Sequence, residues 1–139
     1  MTDFSIVVDV KASPDRVLAV LCDVERWPEW TSTMTSVRRM DDGPFAVGSR
    51  ARVRQPKLLA AVWQVTELDE KRSFTWVTRS PGVQLEARHW VEAGRAGSRV
   101  TLSFRFSGLL GPVVARLYRG LSQRYLATEA EGLRKRCDG

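Results

Sequence analysis

The order of the predicted elements constrains this chain most. A strand and a short helical stretch come first, a series of β-patterned segments follows, and one amphipathic helix ends the chain. Because nothing helical is predicted between Val37 and Phe106, the strands must join as hairpins into an antiparallel sheet. The last helix must then bury its apolar stripe against that sheet. Such an arrangement leaves space where small apolar ligands bind.

The first elements are a strand and a capped helix. In residues 4–10, four apolar side chains alternate with Ser5, Val7 and Asp9, which is the period of a strand. Ser13-Pro14-Asp15 provides a hydroxyl for the N-cap, a proline for the first helical position and an acid for the first turn. Pro28 disfavours a helical conformation at Trp27, so the helical region ends or bends there.

Five more segments have the alternation of strands with one polar and one apolar face. They cover residues 49–55, 61–67, 73–79, 83–92 and 99–106. The residues expected on the apolar face of the sheet include Ala51, Val53, Trp63, Val65, Phe74, Trp76, Leu85, Ala87, His89, Val91, Val100, Leu102, Phe104 and Phe106.

The last helix is predicted to run without interruption from about Pro112 to Arg134. Its apolar stripe consists of Leu110, Val113, Val114, Leu117, Leu121, Tyr125 and Leu133, with Tyr118 beside it. Because this stripe should contact the sheet, Leu117→Asp or Leu121→Asp is expected to unfold the domain.

Composition favours a single cytosolic domain over residues 1–139. Cys22 lies in an apolar helical pattern and Cys137 in a polar tail, so a disulfide is not expected. No apolar run is long enough to span a membrane, and no secretory signal is visible. The net charge is +6, but the arginines are spread along strand and helix faces without any nucleic-acid-binding motif. We therefore predict no nucleic-acid partner and no integral membrane contact; the oligomeric state is not predicted.

Several segments together resemble the polyketide cyclase/dehydrase branch of the START-like (SRPBCC) superfamily. They are the helix start at Ser13-Pro14-Asp15, Trp27-Pro28-Glu29-Trp30, and residues 63–68, 74–82, 98–102 and 124–126. The resemblance implies an α+β helix-grip fold, in which a curved seven-stranded antiparallel sheet surrounds a long C-terminal helix and two short helices follow strand 1. Members of this group include aromatase/cyclases and carriers of hydrophobic ligands, so the fold alone does not choose a function.

The candidate catalytic residues are His89, Tyr118 and Tyr125. His89 is the only histidine, and strand parity directs it to the apolar face. It is interpreted either as a polar anchor or proton-transfer group in a pocket, or as a structural histidine hydrogen-bonded to a neighbour such as Tyr118 or Tyr125. No metal site or cofactor is predicted, because metal-ligand spacings and a phosphate-binding glycine loop are both missing from the sequence.

The predicted ligand site lies between the sheet and the last helix. Its expected lining residues are Val53, Trp63, Trp76, His89, Phe104, Tyr118 and Leu121, with Trp30 at the rim. Two hypotheses follow: the domain binds a small hydrophobic or aromatic molecule, or it is a cyclase, aromatase or dehydratase in which His89 and a tyrosine move protons.

Overall fold

The computed structural model describes residues 3–138 and has the α+β architecture of a helix-grip fold. The strands are β1 (Phe4–Val10), β2 (Ser36–Arg39), β3 (Arg50–Arg54), β4 (Ala61–Asp69), β5 (Ser73–Ser80), β6 (Val83–Gly94) and β7 (Gly97–Ser107). The helices are α1 (Pro14–Cys22), a 3₁₀ helix (Val24–Glu29), α2 (Gly111–Leu117) and α3 (Arg119–Asp138).

The seven strands form one open antiparallel sheet in the order β1-β7-β6-β5-β4-β3-β2. Hairpins connect the strands from β2 to β7, and β1 pairs with β7 in a register that sets Phe4 opposite Phe104. This confirms the predicted antiparallel sheet and the two short helices after the first strand.

The strand faces follow the predicted alternation because side chains of a strand point to opposite sides in turn. Trp76, for example, pairs with Ala87, which pairs with Phe104 on the next strand. Strand β2 has no alternating segment in the sequence analysis. It spans four residues, of which only Val37 is buried, so its hydrophobic pattern is too short to recognise.

The N-terminal helices cover one end of the core. The Ser13 side chain accepts a hydrogen bond from the backbone N–H of Arg16, as its predicted N-cap role requires. Pro28 does not end the helical region at Trp27, because a 3₁₀ helix continues through it. The indole N–H of Trp27 donates to the carbonyl of Leu21 over 2.9 Å, which holds this ring in the protein interior.

The C-terminal helix differs from the prediction. It is interrupted at Tyr118, so α2 packs against β6 and β7 while α3 lies across β1 and β7. The stripe predicted to face the sheet therefore does so only in part. Leu117 is 75% exposed, and Leu133 is fully buried. Placing Leu117 in the helix–sheet contact was wrong, because the 3.6-residue period does not continue through the break.

No helix among residues 3–138 has the length and hydropathy needed to cross a membrane.

Candidate functional site

A cavity of about 460 Å³ lies between the apolar face of the sheet and helices α2 and α3. It exceeds the volume of about 300 Å³ at which small-molecule sites begin. The sheet contributes aromatic and small side chains to its wall, and the helices contribute both apolar and polar side chains. Trp27 and Met34 extend this wall from the segment after α1.

The sheet side of the cavity brings together four residues that the sequence places on the apolar face. Trp63, Trp76, His89 and Phe104 come from four successive strands, β4 to β7, and all line the cavity. The rings of Trp63 and Trp76 are 5.5 Å apart between centroids. The pairing of neighbouring strands therefore builds a largely aromatic wall on which a planar molecule can pack.

The helix side of the cavity is one face of the α2–α3 pair. Val114, Tyr118, Leu121, Ser122, Tyr125 and Glu129 line it at spacings of three or four residues. Tyr118 is 42% exposed, whereas Glu129, further along α3, is 4% exposed. Tyr118 therefore lies toward the open end of the cavity and Glu129 toward its closed end.

Two of the predicted lining residues lie elsewhere. Val53 is 1% exposed and belongs to the packed core. Trp30 lines a separate surface depression with Gly132 on α3. Trp30 follows the 3₁₀ helix directly, and its ring lies 5.3 Å from the ring of Trp27, which lines the cavity. The prediction of Trp30 at the cavity rim was therefore wrong; Trp27 is the tryptophan of this motif that lines the cavity.

His89 is held as a neutral imidazole at the cavity wall. Its Nδ1 lies 3.1 Å from the Phe74 carbonyl oxygen, so Nδ1 carries the proton and donates. Burial lowers the pKa of His89 to about 4, and the bond to Phe74 opposes this shift. The Phe74 ring stacks on the imidazole with centroids 4.1 Å apart. Any polar contact that His89 makes with a ligand is consequently made by Nε2 as an acceptor.

The hydrogen-bond partner of His89 differs from the one expected. The predicted structural partner was Tyr118 or Tyr125, whereas the observed partner is the backbone of strand β5. The Tyr125 hydroxyl instead donates to the carbonyl of Pro56 in the loop between β3 and β4. This bond ties α3 to the loop at the cavity entrance, where Leu59 is 93% exposed.

The residue that the sequence analysis missed is Glu129. It lines the cavity and is 4% exposed. Burial raises the pKa of its carboxyl to about 8, and a hydrogen bond from the Thr33 side chain opposes the shift. A signal was present in the sequence: Glu129 lies four residues after Tyr125 and four before Leu133, on the apolar helix stripe.

The site has the composition of a binding pocket for an apolar molecule with few polar groups. Within residues 3–138, no group of three histidine, cysteine, aspartate or glutamate side chains could hold a metal ion. The ionisable side chains on the wall are those of Lys57, His89, Tyr118, Tyr125 and Glu129. His89 and Glu129 are the two that are almost fully buried, and both are uncharged near neutral pH.

Comparison with known proteins agrees with this architecture. A protein from Thermus thermophilus is 17% identical, with a TM-score of 0.75 over 96% of this chain and 94% of that one. Ginseng major latex-like protein 151 from Panax ginseng is 14% identical, with a TM-score of 0.73 over 96% of this chain and 95% of its own. The di-domain ARO/CYC BexL from the BE-7585A biosynthetic pathway is 18% identical, with a TM-score of 0.71 over 96% of this chain and 45% of BexL.

At these identities the similarity concerns the fold alone. No curated protein sequence matches the chain. The family described as "Polyketide cyclase / dehydrase and lipid transport" matches residues 1–138. The chain therefore belongs to the polyketide cyclase/dehydrase and lipid transport family, and its helix-grip fold agrees with this.

Proposed function

We propose that this domain binds a small hydrophobic or aromatic molecule in the cavity between its sheet and its C-terminal helices. The observation that carries the proposal is the cavity itself, about 460 Å³ with Trp27, Trp63, Trp76 and Phe104 on its wall. Burying roughly 200 Å² of apolar ligand surface contributes about 5 kcal/mol before the costs of association. That is sufficient for modest affinity without any ion pair.

A test of this proposal compares two substitutions on adjacent residues of β6. Ala87 is buried on the cavity wall, and Arg88 points to the opposite, exposed face of the strand. Ala87→Phe places a ring in the cavity, whereas Arg88→Phe adds the same ring outside it. The neutral dye N-phenyl-1-naphthylamine, which fluoresces in apolar surroundings, should bind to the wild type and to Arg88→Phe, and at least about tenfold more weakly to Ala87→Phe.

The fold of each variant is checked by circular dichroism, and Leu121→Phe offers a second way to fill the cavity from the helix side. Equal dye binding by the wild type and all three variants would contradict the proposal. Native mass spectrometry of freshly purified protein would in addition reveal a co-purified molecule.

A second candidate is a cyclase, aromatase or dehydratase. His89 favours it, because a neutral imidazole whose Nδ1 donates to Phe74 presents Nε2 as a base at the cavity wall. The structural similarity to an ARO/CYC protein agrees with this possibility. A tyrosine partner is less supported, since the Tyr125 hydroxyl is bound to Pro56 and Tyr118 is 42% exposed.

Purification of the wild type and His89→Ala from the same host separates the two candidates. If the domain only binds, both proteins should carry the same compound, with different occupancy. If His89 takes part in a conversion, the variant should carry a different compound, namely the unconverted substrate. Its mass differs where the reaction loses water, and its absorption spectrum and fragmentation differ where cyclisation only isomerises the substrate. The same compound in both proteins, by mass, absorption spectrum and fragmentation, would count against the enzymatic candidate.

A further inference from the structure

Glu129, at the inner end of the cavity, belongs to a buried polar cluster. Glu129 comes from α3, and Thr31 and Thr33 come from the segment between the 3₁₀ helix and β2. All three residues are buried, with 3% to 4% of their surface exposed. The hydroxyl oxygens of Thr31 and Thr33 are 3.0 Å apart. The Thr33 side chain is also near enough to the Glu129 carboxyl to lower its pKa, against the larger effect of burial. Two hydroxyls and one carboxyl therefore form a buried polar cluster, of which Glu129 reaches the cavity wall.

Within residues 3–138, no cationic side chain pairs with the Glu129 carboxyl to stabilise its charge. An unpaired carboxylate in low-polarity surroundings is costly, so the group keeps its proton near neutral pH. A protonated carboxyl has one O–H donor, which an ionised carboxylate does not have.

The direction of the hydrogen bonds in the cluster determines whether Glu129 has a donor available for a ligand. When Thr33 donates to one carboxyl oxygen, the Thr33 hydroxyl oxygen remains free to accept from Thr31. The carboxyl then has its own proton left to donate. A ligand group that fits this donor is an uncharged acceptor, such as the oxygen of a ketone or an ester.

We propose that uncharged Glu129 determines ligand specificity by donating a hydrogen bond to a carbonyl oxygen at the inner end of an otherwise apolar ligand. This inference rests on the proposed binding function and adds an orientation to it, with the polar end of the ligand at the closed end of the cavity. An amine would be the alternative partner for a buried acid. The cation Lys57 on the same wall and the net charge of +6 favour the uncharged acceptor.

The experiment compares 2-acetylnaphthalene with 2-isopropylnaphthalene, two probes of similar shape of which only the first has a carbonyl oxygen. The proteins are the wild type, Glu129→Gln, which retains a donor, and Glu129→Leu, which has none. At neutral pH, Glu129→Leu should bind the ketone about tenfold more weakly than the wild type, and Glu129→Gln should bind it with similar affinity. The hydrocarbon should bind all three proteins equally well.

A pH series adds a readout that a purely structural role of Glu129 would not change. Between about pH 7 and pH 9, ketone affinity of the wild type should fall about tenfold as the carboxyl loses its proton. The other titratable groups facing the cavity are Lys57, His89, Tyr118 and Tyr125, and Glu129→Gln retains all of them. Ketone affinity of Glu129→Gln should therefore stay constant over this range.

Three results would overturn the inference. They are an equal loss of both probes in Glu129→Leu, a pH response that persists in Glu129→Gln, and tight binding of 2-naphthylmethylamine that Glu129→Gln abolishes. Each of these leaves the proposed binding function standing, because the hydrocarbon still binds the wild type. If neither probe binds the wild type, the result contradicts the proposed binding function. The inference about Glu129 is then contradicted as well, because it rests on that function.

Discussion

His89 and Glu129 occupy the same apolar cavity, and burial shifts their pKa values in opposite directions. Removal from water disfavours the charged form of each group, so the pKa of the imidazole falls to about 4 and that of the carboxyl rises to about 8. Both side chains are therefore neutral near pH 7. An apolar ligand can occupy the cavity without facing a buried charge from either of them.

These shifts predict how stability depends on pH. Glu129 has a higher pKa folded than unfolded, so the folded state holds the extra proton and loses stability as pH rises from about 4.5 to about 8. His89 has a lower pKa when folded, so its contribution is lost as pH falls from about 6.5 to about 4. Of these two groups, only Glu129 still affects stability above pH 6.5.

We expect the free energy of unfolding to decrease by about 2 kcal/mol between about pH 6.5 and pH 8, because one pKa unit corresponds to about 1.4 kcal/mol. Urea unfolding at a series of pH values measures this change. Glu129→Gln is the matched control, and its stability should be nearly constant over the same range. A decrease of equal size in the variant would show that another group is responsible.

At the scale of elements, the break at Tyr118 divides the C-terminal region into two helices that pack differently. Helix α2 covers the ends of β6 and β7, with Val113 and Leu117 facing outward, at 56% and 75% exposure. Helix α3 carries the buried stripe, in which Leu126, Ala130 and Leu133 join the hydrophobic core. The sheet is therefore held by α3, and α2 closes one side of the cavity.

This division predicts opposite results for two similar substitutions. Leu133→Asp places a charge in the core without a partner and should lower the free energy of unfolding by several kcal/mol, on the order of 4 kcal/mol or more. Leu117→Asp introduces the same charge on an exposed position and should change it by less than about 0.5 kcal/mol. Urea unfolding followed by far-ultraviolet circular dichroism measures both. Unfolding of Leu117→Asp would mean that α2 packs more tightly than its exposure indicates.

At the scale of the whole molecule, most basic side chains lie away from the ligand site. Most of the 22 lysine and arginine side chains lie on the surface, and Lys57 is the one that reaches the cavity wall among the described residues. Cys22 and Cys137 are both free thiols. A reduced, cytosolic environment and a single domain over the whole chain remain predictions from the sequence pattern.

Because most basic side chains lie away from the cavity, ligand binding should respond little to salt or to a chelator. Affinity for N-phenyl-1-naphthylamine should change less than about twofold on addition of a chelator, and by a similarly small factor from low to high salt, because burial of apolar surface is not screened by ions. Fluorescence titration measures both, with Ala87→Phe as the control for dye outside the cavity. Loss of binding in the presence of chelator would indicate a metal requirement.

The strands and their faces were predictable because alternation is a local property. Each of the segments from Ala61 to Phe106 repeats its pattern often enough to assign an apolar face, and this places Trp63, Trp76, His89 and Phe104 together once the strands pair. The order of elements then allowed one arrangement, an antiparallel sheet covered by the last helix.

Other features depended on contacts between segments distant in sequence. Only the packing of the 3₁₀ helix decides that Trp27, rather than Trp30, faces the cavity. The break at Tyr118 accompanies the docking of α2 on β6 and β7 and of α3 on β1 and β7, which no periodicity of the helix encodes. The proton on Glu129 depends on burial beneath the sheet and on Thr33, almost one hundred residues earlier in the chain. Periodicity determines which face a residue occupies, whereas its solvation and its partners are set by tertiary structure.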